Sequence, residues 1–155
     1  MAWRIEIINQ PHVVDAVGDG IRVDISDLGI STVDSVQYLR LYELKGDLSE
    51  AEAKRIATEL LADPVTQSYR CSVNGSVELE DGQWGVEVWF RSGVTDNTGE
   101  TALKAVKDLG IKGIAAAATG RGYILGGHLS EQSVERICRR LLANDIIEEY
   151  SFYPG

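Results

Sequence analysis

The sequence predicts an α+β fold in which one β-α-β-β-α-β unit is used twice. Two observations carry this. The chain matches itself without a gap at a shift of 81 residues, and inside each copy apolar residues alternate with period two, then recur at helical spacing. Setting residues 3–69 against 84–150 gives 22 identities in 67 pairs. The matches include Trp3 with Trp84, Asp15 with Asp96, and Asp27-Leu28-Gly29-Ile30 with Asp108-Leu109-Gly110-Ile111. Copy one is expected at 1–73 and copy two at 84–155, joined by an arm at 74–83.

Each copy opens on a strand. Trp3, Ile5 and Ile7 alternate with polar residues, as do Trp84, Val86 and Val88. Asp15 and Asp96 suit the N-caps of a first helix. Val17, Ile21, Ile25 and Leu28 form its apolar stripe in copy one; Ala102, Ala105, Val106 and Leu109 form it in copy two. Gly29 and Gly110 stand where a left-handed C-terminal cap belongs. Gly18 and Gly20 each weaken the first helix by about 1 kcal/mol relative to Ala, which predicts an irregular first turn.

Residues 33–46 and 114–127 read as extended chain, two short strands in each copy. Ser49 with Glu52 forms a capping box for a second helix, whose buried stripe is Ala53, Ile56, Leu60 and Leu61. Val134, Ile137, Leu141 and Leu142 repeat that stripe. Last strands are expected at 65–73 and 146–153. This is the ferredoxin-like order, with helices on one face of an antiparallel sheet. Two copies in one chain predict a pseudo-twofold pair, because a domain of about 70 residues is marginal alone. In the arm, Asn74-Gly75 and Asp81-Gly82 favour turns around Val77-Glu78-Leu79, which predicts an extra strand or ordered arm.

Composition narrows the function. The chain has 155 residues, 44% hydrophobic and 25% charged, with a formal net charge of -9. That is a globular composition. The acidity argues against nucleic acid, which needs clustered Lys and Arg. No apolar run reaches the roughly 20 residues of a membrane span. No secretory leader is recognisable at the N-terminus, so a cytoplasmic location is expected. The copies differ electrically: residues 1–83 carry net -8 and residues 84–155 net -1.

No pattern of reactive residues emerges. Cys71 and Cys138 stand far apart and read as free thiols. His12 and His128 have no counterparts in the other copy and read as loop residues. Nucleophile-elbow and Walker motifs are lacking. Gly120-Arg121-Gly122 offers N–H groups and a guanidinium to an anion, but reads first as a hairpin turn. Asp96, like Asp15, reads first as a cap, and Glu148-Glu149 as solvated charge. Arg40, Tyr42, Arg121 and Tyr123 recur in both copies on one face of an extended segment. Tyr and Arg anchor many interfaces, so these four are the best candidates for partner contact.

Copy two carries GVTDNTG at 93–99, DLGI at 108–111, GRGYIL at 120–125 and LLANDIIEEYSF at 141–152. These motifs resemble the PurS family, the small subunit of phosphoribosylformylglycinamidine synthase. Copy one matches more loosely, with VVDAVG at 13–18, DLGI at 27–30 and LLADPVTQSY at 60–69. It departs at His12, where copy two has Gly93, and at Leu39, where copy two has Gly120. Asp145 replaces the family's proline, which Pro64 keeps. The resemblance implies a family dimer fused into one chain, as in the N-terminal region of the large single-chain synthase. It implies a non-catalytic assembly subunit of purine biosynthesis, bridging a large synthetase subunit of the PurL type and a glutaminase subunit of the PurQ type. No cofactor is then expected on this chain; ATP and Mg would belong to the synthetase. Gly93, Asp96 and Gly120 join Arg40, Tyr42, Arg121 and Tyr123 as candidate partner contacts. Further homodimerisation stays open. An ACT-type pair that senses a small molecule is the alternative, since it too pairs βαββαβ units.

Overall fold

The computed structural model describes residues 2–155. The elements run β1 (Ala2–Asn9), α1 (Ala16–Asp27), β2 (Val33–Gly46), α2 (Glu50–Ile56), β3 (Gln67–Val73), β4 (Trp84–Phe90), α3 (Asn97–Asp108), β5 (Ile114–Gly127), α4 (Glu131–Ile137) and β6 (Glu148–Pro154). The hydrogen-bonded strand order is β3-β1-β2-β5-β4-β6. In β1, Ile7 lies opposite both Arg40 of β2 and Tyr69 of β3. In β4, Val88 lies opposite Tyr150 of β6.

Local chemistry sets the helix ends. Asp15 caps α1 by accepting from the Gly18 N–H at 2.8 Å. Asp96 caps α3 through Gly99 at 2.9 Å. Gly29 and Gly110 take φ of 88° and 86°, as a left-handed cap requires. Ser49 and Glu52 form the expected capping box; in copy two only Ser130 caps, because Ser133 replaces the glutamate. Both second helices end in five π-helical residues, Ala57–Leu61 and Cys138–Leu142.

Three expectations need correction. The two short strands expected in 33–46 and 114–127 are one continuous strand in each copy. Gly120-Arg121-Gly122 is therefore mid-strand rather than a hairpin turn; pairing along β5 overrides the local turn preference of the glycines. Of the strand or arm expected at 74–83, the arm forms, with no strand at 77–79. Val77 is nonetheless buried, and its N–H donates to the Tyr153 hydroxyl at 3.1 Å. The last strands also start two residues later than expected, at Gln67 and Glu148.

The long strands have a physical consequence. Fourteen residues of strand span about 46 Å. A unit of half this chain has a radius of gyration near 11 Å. One such unit cannot hold the whole strand. Accordingly the chain gathers into two compact units, and each draws on both sequence copies.

Unit one comprises the segment ending at Val13, Leu39–Ser76 and Thr95–Gly120. It holds β1, β3 and α2 of copy one, α3 of copy two, and one part each of β2 and β5. Its core joins Ile5 and Ile7 of β1, Tyr42 and Leu44 of β2, Ala53 and Ile56 of α2, and Val106 of α3. Trp3 closes the core, its indole N–H donating to the Leu48 carbonyl at 3.0 Å.

Unit two comprises Val14–Tyr38, Val77–Val94 and Arg121–Gly155. It holds α1 of copy one with β4, α4 and β6 of copy two, and the remaining parts of β2 and β5. Its core joins Ile25 of α1, Val36 of β2, Val86 and Val88 of β4, Leu125 of β5, and Val134 and Ile137 of α4. Each fully buried aliphatic side chain contributes roughly 1.5–3 kcal/mol by leaving water. Each unit thus has four strand segments and two helices, the ferredoxin-like complement, with the first helix supplied by the other copy.

Candidate functional site

The recurring arginine and tyrosine occupy alternate positions of β2 and β5, so each pair shares one strand face. In unit two, Arg121 is locked. Its guanidinium donates to Glu148 at 2.6 and 3.0 Å, to the Leu142 carbonyl at 2.8 Å, and to the Tyr123 hydroxyl at 3.2 Å. Glu148 also accepts from the Asn144 N–H at 2.9 Å. The Tyr38 ring packs on Tyr123 with centroids 5.6 Å apart. Glu148 is 6% exposed, so it is no solvated charge; only Glu149 fits that expectation. Burial opposes ionisation of Glu148, but the bonds from Arg121 and Asn144 outweigh it and hold the carboxyl below its ordinary range. Bonding to Glu148 raises Arg121 further above its already high value.

In unit one the same geometry lacks its acid. Gln67 stands where copy two has Glu148. It keeps one duty of the glutamate, accepting from the Asp63 N–H at 2.8 Å. Arg40 makes no ion pair among the described residues. Its guanidinium donates to the Tyr42 hydroxyl at 2.6 Å and lies 5.5 Å from the centre of that ring. Tyr42 is 3% exposed, whereas Arg40 is an exposed residue.

Beside Gln67 lies a cleft of about 290 Å³, lined by Gln10, Thr58, Pro64, Gln67 and Tyr69 among others. All five are neutral. Four of their counterparts in copy two, Arg91, Arg139, Asp145 and Glu148, are charged. Arg40 and Tyr69 both lie opposite Ile7, so they share a sheet face two strands apart, about 10 Å.

The other candidates are placed differently. Asp96 is fully engaged inside unit one: besides Gly99 it accepts from the Thr119 N–H at 2.6 Å and the Thr119 hydroxyl at 2.8 Å. Asp15 does the same in unit two through the Tyr38 N–H at 2.8 Å. Gly93 sits in the exposed turn before α3 with φ of 87°, the value a type II turn demands at its third position. His12 replaces it without a positive φ, following Pro11. Gly120 adjoins Arg121 in β5. The partner of Arg121 was missed in the sequence. The swap of Gln67 for Glu148 between repeats is the signal that points to it.

Both cysteines are free. Burial pushes the Cys138 thiol up to about 12 and also raises Cys71, so neither is poised as a nucleophile. Among the described residues no three His, Cys, Asp or Glu side chains gather as a metal site. Among the described residues no helix is long and apolar enough to cross a membrane.

The family model PurS, described as phosphoribosylformylglycinamidine (FGAM) synthase, matches twice, over residues 2–75 and 83–153. The synthase subunit PurS of Archaeoglobus fulgidus is 31% identical over 71 residues, covering 43% of this chain and 89% of that protein. The crystal structure of Methanocaldococcus jannaschii PurS, one of the subunits of formylglycinamide ribonucleotide amidotransferase, is 25% identical. It covers 47% of this chain and 94% of its own, with a TM-score of 0.44. The PurS subunit from Thermotoga maritima is 26% identical over 47% of this chain and 90% of its own, with a TM-score of 0.31. Two matches of one family model, end to end and in the register of the internal repeat, mean that this chain belongs to the PurS family and carries its domain twice.

Proposed function

We propose that the chain is the non-catalytic assembly subunit of a phosphoribosylformylglycinamidine synthase, acting in the cytoplasm. It bridges a synthetase subunit of the PurL type, which binds ATP and Mg, and a glutaminase subunit of the PurQ type, and binds no cofactor itself. The observation that carries this reading is the double match to the PurS family over nearly the whole chain. It supports this reading and not the ACT-type alternative.

The test is reconstitution. Glutamine-dependent amidine formation by the synthetase and glutaminase subunits of the source organism is measured with and without this chain. A strong rise on its addition, with no turnover by the chain alone, is expected. Equal rates with and without it sink the reading.

A further inference from the structure

We infer that Arg40 is a contact for a carboxylate carried by a protein partner, and that the change from Glu to Gln at position 67 is what frees it. The inference rests on the assembly role just proposed. It deepens that role by naming the chemistry of one contact.

Position 121 defines what the fold does with this arginine when an acid is present. There the guanidinium takes two bonds to Glu148 and one to the Leu142 carbonyl, and 34% of its side chain remains exposed. Copy one retains the arginine, the tyrosine hydroxyl beside it, and the Leu-Leu-Ala segment that supplies the carbonyl. Only the acid is gone. Arg40 is left exposed over Tyr42, on the sheet face that also carries Tyr69 of the cleft, whose lining is neutral at positions that are charged in copy two. Guanidinium pairs with carboxylate through two parallel bonds, and that geometry makes the site selective for a planar acid.

Charge argues for a macromolecular source of that acid. The chain carries net -9 and offers no excess positive field to collect a free small anion. A carboxylate fixed on a docked protein surface is positioned by other contacts and meets Arg40 at short range. A partner acid would complete in trans the pair that Glu148 completes in cis.

The experiment measures capture of the purified synthetase and glutaminase subunits by wild type, Arg40→Ala and Gln67→Glu, with thermal midpoints for each chain. Both variants are expected to weaken capture of one subunit at least tenfold, the effect of losing one charge-assisted pair. Gln67→Glu should also raise the midpoint by a few degrees, because Arg40 closes onto the new carboxylate as Arg121 does. This separates competition from unfolding. Acetate and free glutamate at millimolar concentration, followed by NMR of the Arg40 side chain, should produce no saturable shift. Undiminished capture by both variants overturns the inference and leaves the assembly role standing. A Gln67→Glu chain with an unchanged or lowered midpoint removes the latch on which the inference is built. Saturable acetate binding without loss of capture makes Arg40 a small-anion site instead. Failure of wild type to capture either subunit overturns the assembly role and this contact together.

Discussion

Arg121 and Arg40 are the same residue of the same repeat in two chemical settings. One is held by Glu148, Leu142 and Tyr123 in a part-buried network. The other has a single tyrosine hydroxyl and its ring. The first copy's glutamate on β1 and its counterpart on β4 also differ in their neighbours. Glu6 is bound by Arg4 at 2.9 Å and Arg70 at 3.0 Å; Glu87 accepts from the Trp89 indole at 3.1 Å and the Tyr153 hydroxyl at 2.7 Å, and Gly85 and Ser151 stand where copy one has Arg4 and Arg70. Duplication keeps the buried residue and lets its partners drift. A residue retained in both copies is therefore not assured the same task in both. Its neighbours decide whether it is structural or available.

The sharpest way to break this comparison is to delete both arginines in turn. Arg121→Ala strands the buried Glu148 without its countercharge, and breaking such a pair costs about 3 kcal/mol, at the low end because the arginine is part exposed. Arg40→Ala removes an exposed side chain and should change stability by less than about 0.5 kcal/mol. Urea unfolding of the two variants measures the difference directly. Equal losses would mean that Arg40 is as deeply committed to the fold as Arg121.

A second test concerns the glycines shared by both copies. A Cβ at Gly18 would collide with the Val36 carbonyl and the Asp15 carboxylate; at Gly99 it would come within 2.6 Å of the Ala117 carbonyl. These glycines let the first turn of α1 and α3 lie against backbone. Gly18→Ala and Gly99→Ala should each cost about 2 kcal/mol, in the range of overpacking a tight contact. Calorimetric midpoints that barely move would show that the helix can shift away from the strand.

Much of this was legible in the sequence because the repeat doubles every local signal. Caps at Asp15, Ser49 and Asp96 and left-handed glycines at Gly29 and Gly110 are short-range chemistry, and each sits where it was expected. The continuous β2 and β5 were not legible, because a glycine pair at 120 and 122 looks like a turn until strand pairing is known. Nor was the exchange of α1 and α3 between copies, since identical apolar stripes fit either partner equally well. At the site, Arg40 and Arg121 stood out by recurrence, but Glu148 was passed over as surface charge. Its burial depends on the pairing with Arg121 of β5, a contact between residues 27 apart that no local pattern shows.

Acidification sharpens the contrast from another side. Glu148 has a folded pKa held below its ordinary value of 4.5, by the Arg121 and Asn144 bonds working against burial. Its contribution to stability is thus fully present above pH 4.5 and is lost as pH falls through the lowered value. Glu148→Gln should be less stable than wild type by about 1–2 kcal/mol at neutral pH, the worth of a charge-assisted bond. The two chains should converge as acid takes the pH below 4.5 and through the lowered value. Thermal midpoints recorded across that range would reveal a constant gap if Glu148 were not the titrating partner.

The smallest expected effect separates Gly20 from Gly18 within one helix. Gly20 is exposed in α1, has no positive φ, and a Cβ built there meets nothing within 4 Å. Its counterpart in copy two is Thr101, so the repeat itself shows that the position accepts a side chain. Nothing inside this chain requires a glycine there, and Gly20→Ala should raise stability by about 0.5–1 kcal/mol through helix propensity and a less flexible unfolded chain. A gain read as a higher midpoint, alongside a loss for Gly18→Ala, would place the two glycines of one turn on opposite sides of the same ledger: one held by backbone contact, the other free to change. A loss at Gly20 would instead mean that the first turn of α1 departs from regular helix, as its paired glycines first suggested.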